Sequence, residues 1–227
     1  MKNFFLIFGY GVSQNILKDE NYNFYLKMTF NQIYDLSIKN KIAQPIIMLC
    51  GGQTDLFSPY QRSEGQEMLK WFKAHIKKNP QLINLSKNWS FIPETKSICT
   101  LENLLNSQAI IKKLTTKKAN IFIFCEQIRG RRIKILAKKI FKNHHTQIVS
   151  VDFDVSANRY LSPEYLRQKE NTELKYSLWA LKNSQNFKKH HRMYEEKFKY
   201  LRQIPQQKQM KAIRKWWDDK ARNNELF

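Results

Sequence analysis

The chain has 227 residues, with 40 Lys and Arg against 19 Asp and Glu and a formal net charge of +21. An apolar content of 42%, of which aromatics are a large part at 13%, buries enough surface to offset the ordering entropy and excludes a disordered polycation. No uninterrupted apolar run reaches the roughly 18 to 20 residues that span a bilayer, which excludes a transmembrane helix. The start, Met1 to Gly9, reads as a first strand rather than a signal peptide, so the expected location is cytoplasmic. Cys50, Cys99 and Cys125 are odd in number and match no zinc spacing; they read as reduced, small buried hydrophobes.

In chain order, Asn3–Phe8, Pro45–Cys50, Trp89–Pro93, Asn120–Cys125 and Gln147–Phe153 are short, aromatic and β-branched, as buried strands are. Helical spacing runs between them, over about 22–40, 62–78, 101–116 and 129–143. The alternation predicts an α/β fold: a Rossmann-like three-layer sandwich with a mostly parallel five-stranded sheet. Beyond Asp154 the pattern is helical throughout. Ser162-Pro163-Glu164 is a helix start, and helices are expected to about 183, over 186–202 and over 206–222, with Pro205 between the last two. This divides the chain into an α/β domain, 1–154, and a basic C-terminal helical extension, 155–227.

Ligands of open parallel sheets bind outside the carboxyl ends of the strands, and the unusual residues of this chain lie there. Gly51 and Gly52 follow the second strand, where missing side chains allow a ligand close to the backbone. Ser63 with Gln66 three residues on is a capping box that opens a helix, whose N-terminus suits an anion. Glu94, Ser97, Thr100, Glu102 and Asn103 form the order E-x-x-S-x-x-T-x-E-N: Glu94 closes a strand, Thr100 caps a helix, and Glu102 and Asn103 lie in its first turn. Carboxylates and amides so clustered supply a general base, a ribose-binding group or a metal ligand. Cys125-Glu126-Gln127-Ile128-Arg129-Gly130-Arg131-Arg132 runs from the fourth strand into a helix, which makes Arg129 and Arg132 candidates for an anion clamp beside Glu126. Asp152 and Asp154 fall on one side of the fifth strand's end, where a metal site is conceivable and loop capping is the simpler account. No dinucleotide fingerprint, P-loop or zinc template is present, so no cofactor is assigned.

The succession of Gly51-Gly52, Ser63-Glu64, Glu94 with Ser97, Thr100, Glu102 and Asn103, and a strand followed by a basic helix start resembles the YdcF/SanA/ElyC family of bacterial domains of unknown function. The resemblance covers about residues 3–154 and is closest to the soluble YdcF-like members. It implies a Rossmann-like sandwich with a polar strand-end cleft; members have been tied to envelope processes, and the YdcF member to binding S-adenosylmethionine. The family's T-S-x-x-H-x-x-R pattern reads Cys125, Glu126, Arg129 and Arg132 here. Only the last arginine is kept, and Arg129 cannot shuttle a proton as histidine does.

The expected site therefore has Glu64, Glu94 and Glu102 in acid–base roles. Gly51, Gly52, Ser63, Ser97, Thr100, Asn103, Glu126, Arg129 and Arg132 hold a small anionic or nucleotide-like ligand, S-adenosylmethionine among the candidates, with hydrolysis or group transfer as the chemistry. Residues 111–144 carry 11 basic residues and one acid, Glu126. This basic segment is expected beside the cleft. The helical extension has 17 basic against 8 acidic residues and interleaves them with Tyr194, Phe198, Trp216 and Trp217. Nucleic-acid binding through patch and tail is the alternative, as is a non-catalytic role at the envelope. Helical spacing also places Tyr194, Phe198 and Leu201 on one stripe, which is a packing face.

Overall fold

Short apolar runs separated by amphipathic helices leave each strand to be covered on both faces, and the chain satisfies this with one sheet. The computed structural model describes residues 1–9, 11–152 and 162–222. Its strands are β1 (Asn3–Phe8), β2 (Ile46–Cys50), β3 (Ser90–Glu94), β4 (Asn120–Glu126) and β5 (His145–Val151). They form one sheet in the order β3-β2-β1-β4-β5, and every neighbouring pair is parallel. The intervening helices are α1 (Glu20–Lys39), α2 (Glu64–Lys77), the short α3 (Pro80–Ser86), α4 (Thr100–Leu114) and α5 (Gln127–Ile140). The fold is thus the Rossmann-like α/β arrangement read from the sequence, with a sheet that is wholly parallel.

The two-residue period of the strands sorts the core into two layers. Phe5 and Ile7 of β1, Ile47 and Leu49 of β2, and Phe122 and Phe124 of β4 face the helices α1 and α2, where they meet Tyr25, Leu26, Phe30, Met68 and Phe72. Cys50 points to the other face, its Sγ 3.3 Å from the Ser107 hydroxyl of α4. Burial pushes its thiol pKa well up. Cys50 and Cys125 are buried and Cys99 is half-buried, all three as free thiols.

The described residues form two compact units, one of 1–55 with 59–152 and one of 56–58 with 162–222. The second unit contains α6 (Pro163–Ala180), α7 (Ser184–Arg202) and α8 (Gln206–Arg222). Ser162 caps α6 through the Tyr165 N–H, and Asn183 caps α7 through the Asn186 N–H. The Tyr165 hydroxyl lies 2.9 Å from the Arg214 carbonyl and 2.9 Å from the Asp218 carboxylate, which fastens α6 to α8.

Three local expectations change. α3 is an additional helix, begun by Asn79, whose side chain accepts from the Gln81 N–H, with Pro80 in the first turn. β5 begins two residues before the expected Gln147, because His145 and Thr146 pair with Asn120 and Ile121 although both are exposed and polar. The N-cap of α4 is Cys99, and Thr100 is the first residue inside the helix. The expected end of β5 at Phe153, and Asp154 beyond it, lie outside the described residues.

Phe72 is fully buried, with ring centroids 5.9 Å from Phe30, 5.3 Å from Trp71 and 5.8 Å from Phe91. Phe72→Ala is expected to lower the unfolding free energy in denaturant by about 3–5 kcal/mol. Leu17→Ala, at an exposed position, is expected to change it by less than about 0.5 kcal/mol.

Candidate functional site

Strand order reverses between β1 and β4, and in such sheets the crevice outside the carboxyl ends at this point receives ligands. The groups that converge there are contributed by five elements, α5 among them through Arg129. β1 runs into Gly9 and Gly11, β4 ends on Glu126, α1 supplies Tyr22 and Tyr25, and α2 opens with Glu64.

Glu64 is buried, and its Oε1 accepts from the Tyr22 hydroxyl at 2.6 Å and the Gly11 N–H at 2.5 Å. Gly11 has φ +129°, a conformation that favours glycine. A Cβ on Gly9 would collide with the Glu64 carboxyl group, and one on Gly51 would lie 2.7 Å from its Oε2 and 2.8 Å from its Cβ. A Cβ on Gly52 would meet the Thr95 and Ser97 carbonyls at 2.8 and 2.6 Å. The paired glycines therefore admit the protein's own parts: Gly51 makes room for a carboxylate and Gly52 for the β3–α4 loop.

Across the switch point, Arg129 Nε lies 2.6 Å from Glu126 Oε2, and its Nη1 donates to the Gly9 carbonyl at 2.8 Å. The guanidinium thus bridges the ends of β4 and β1. Tyr25 donates to the Phe8 carbonyl at 2.7 Å. Burial first, with the neighbouring Cys125, Glu126 and Glu64, pushes its phenol pKa well above the ordinary value, and Arg129 acts in the opposite sense. Arg132 is also buried.

A second cluster occupies the β3–α4 loop. Glu94 Oε1 accepts from the Lys96 N–H at 2.7 Å, the Ser97 N–H at 3.1 Å and Asn106 Nδ2 at 3.2 Å, and its Oε2 accepts from the Ser97 hydroxyl at 2.5 Å. Four donors shape the loop around this carboxylate. Glu102, in the first turn of α4, accepts from the Ile98 N–H at 2.9 Å and so ties the end of the loop to the helix start. Asn103 and Thr100 are buried beside it, and among the described residues Asn103 Oδ1 has no hydrogen-bond partner.

The α2 start is less open to an anion than the sequence implies. Ser63 is its N-cap, but the Glu64 and Gly65 N–H groups donate to the Gly52 and Gly51 carbonyls at 3.0 and 2.7 Å. The Ser63 side chain makes no capping bond, and its buried hydroxyl lacks a partner among the described residues. The Gln127 amide, oriented with nitrogen toward Asp152, donates to that carboxylate at 2.9 Å, which is loop capping.

Tyr22, Tyr25, Asn106 and the Asp55–Arg62 pair were not singled out from the sequence. Asp55 is fully buried and bound in bidentate fashion by Arg62 at 2.8 and 2.9 Å, while Arg62 Nη1 also donates to the Ser13 and Gln14 carbonyls. This ties the β2–α2 loop to the β1–α1 loop. Its only signal is an acid and a base seven residues apart in one connection. Asn106 sits one turn after Asn103 and could have been read from that spacing.

Two charge expectations are corrected or narrowed. In a parallel sheet, helix-to-strand connections lie at the end away from the mouth, so Lys112, Lys113, Lys117, Lys118, Lys138 and Lys139 are remote from the crevice. Of the basic segment, the Arg129–Arg132 stretch alone begins at the mouth. In the helical unit, Tyr194 and Trp217 are buried with centroids 6.0 Å apart, and Lys197 Nζ lies 4.6 Å from the Tyr194 and Phe198 rings. These rings pack on each other and on their own cations rather than forming an open stacking platform.

The Glu64 cradle has a direct energetic test. Gly9→Ala is expected to cost about 1–3 kcal/mol in denaturant unfolding, because the new methyl meets the carboxylate. In a Glu64→Ala background most of that cost should vanish, and an equal cost in both backgrounds would contradict the cradle.

Comparison with known proteins provides no template for this mouth: no protein-family model, curated protein or solved structure matches the chain.

Proposed function

We propose that the chain binds a small nucleotide-like ligand bearing an anionic group in the crevice between the ends of β1 and β4, and acts on it by hydrolysis or group transfer. The observation that supports this reading is the convergence of Glu64, Tyr22, Tyr25, Glu126 and Arg129 on the switch point of the sheet. Carboxylates with buried hydrogen-bond partners suit the hydroxyl groups of a sugar, and an arginine fork suits a phosphate or carboxylate. In this reading Glu64 is the acid–base group, held in one orientation by Tyr22 and Gly11, and Arg129 with Arg132 receives the anionic group. Asn103 Oδ1 and the Ser63 hydroxyl add buried polar capacity that the described side chains leave to a ligand or water. Glu94, bound by four donors, positions the neighbouring loop. Membership in the YdcF-like group is part of the same proposal, supported by the motif order and the parallel sheet; departures at Cys125, Glu126 and Arg129 separate the chemistry from that of a histidine-bearing site.

A thermal-shift series with nucleotides, S-adenosylmethionine and phosphorylated metabolites tests the reading. A ligand at about 100 times its Kd stabilises by about 2.7 kcal/mol, a shift of several degrees for a chain of this size. At least one of these ligands is expected to give that shift, and Arg129→Ala is expected to abolish it. Absence of stabilisation by every ligand would overturn the proposal.

A further inference from the structure

The α/β unit is electrically polar along its strands. Of the ten acids between residues 1 and 152, nine lie at strand carboxyl ends, in strand-to-helix connections or in the first turns of helices; Asp35 is the exception. The opposite end is built from four helix termini and the connections that follow them, residues 38–45, 77–89, 112–119 and 138–144. These 36 residues contain 12 lysines, no arginine and no acid.

Helix dipoles account for part of this, since Lys39, Lys77, Lys112, Lys113, Lys138 and Lys139 lie in last turns. Lys78 and Lys87, the C-caps of α2 and α3, belong with them. Dipoles do not account for Lys41, Lys117, Lys118 and Lys142, which lie beyond the helix C-caps and are all exposed. Exposed apolar side chains stand at the same end: Ile38 at the close of α1 is 58% exposed and Ile83 in α3 is 49% exposed, with Met1 at 71% before β1. Leu17 and Phe24, also exposed, lie at the mouth. His75 and His144 hold a proton less readily than an ordinary histidine, through burial first and then through Lys27 and Lys78 for the former and Lys112 for the latter.

We propose that this lysine end docks on an anionic lipid bilayer, with Ile38 and Ile83 entering the headgroup layer and the mouth facing away from it. Because parallel crossovers return every helix to one edge of the sheet, lysines from four connections share that edge, and a planar partner engages them together. Each lysine near an anionic bilayer strengthens binding roughly fivefold. Neither a phosphate fork nor a stacking ring marks the surface: it has no arginine, while Phe141 is buried and Trp89 packs against the core. Apolar side chains among lysines match a headgroup layer over a nucleic-acid backbone. The inference is independent of which ligand the mouth takes.

Flotation of the full chain with vesicles tests it. Binding is expected to vesicles of phosphatidylcholine with about 30% phosphatidylserine and not to phosphatidylcholine alone. It should weaken roughly tenfold or more between ~50 and ~300 mM salt, as screened charges do. Lys112→Gln/Lys113→Gln/Lys138→Gln/Lys139→Gln is expected to weaken it roughly tenfold or more, with folding checked by circular dichroism. Lys188→Gln/Lys189→Gln/Lys208→Gln/Lys211→Gln, at four exposed positions of α7 and α8, is the matched control and should bind as the parent does. Ile38→Ser/Ile83→Ser, at exposed positions, should weaken vesicle binding that persists at the higher salt. No binding to anionic vesicles at low salt would overturn the proposal. So would tighter binding to a nucleic-acid duplex that the isoleucine variant leaves unchanged.

Discussion

A carboxylate buried at the reversal point of a parallel sheet is costly unless donors meet it, and the geometry around Glu64 follows from that constraint. Tyr22 from α1 and the Gly11 amide after β1 supply the donors. Gly9 and Gly51 lack side chains where the carboxyl group lies, so β1 and β2 can both end against the first residue of α2. The same contact explains why α2 begins where it does: its first two amides close onto the Gly52 and Gly51 carbonyls, drawing the helix start over the glycine pair. One ionisable side chain thereby joins β1, β2, α1 and α2 at the mouth. Arg129 and Glu126 make the corresponding join from β4 to β1.

The two ends of the α/β unit then take opposite characters for one topological reason. Parallel crossovers send all strand ends and helix starts to one side and all helix ends to the other, and helix dipoles favour acids on the first and bases on the second. This chain exceeds that tendency, continuing the lysines into the connections where no helix end needs them. A high net charge is thus compatible with a mouth lined by glutamates. Within residues 1–152 the 23 basic and ten acidic residues are sorted by direction along the strands more than by position along the sequence.

Much of the fold could be read from the residues, because Asn3–Phe8 and Asn120–Cys125 are short continuous apolar runs rich in aromatics and isoleucine, as strands buried on both faces are, and amphipathic helical segments separate them. The short α3 escaped because seven residues carry too little periodicity, although Asn79-Pro80 is a helix-start signal. Polar His145 and Thr146 escaped because an edge strand need not be apolar to pair. At the mouth, residue types were legible and their partners were not. Glu64, Glu94, Glu102, Glu126 and Arg129 stand at strand or helix ends as expected, but spacing could not show that Gly51 faces Glu64, that Arg129 reaches the Gly9 carbonyl, or that Asp55 and Arg62 form a buried pair. Those relations join segments distant in sequence, and local pattern holds no record of them.

Hydrogen exchange of the Gly11 amide tests the central role of Glu64 most directly. Gly11 lies in a connection beyond the β1 ladder, so strong protection there requires its bond to the buried carboxylate. The account predicts a protected Gly11 amide whose protection is lost in Glu64→Ala while β1 and β4 amides keep theirs. An unprotected Gly11 amide in the parent chain, or protection that survives Glu64→Ala, would contradict it.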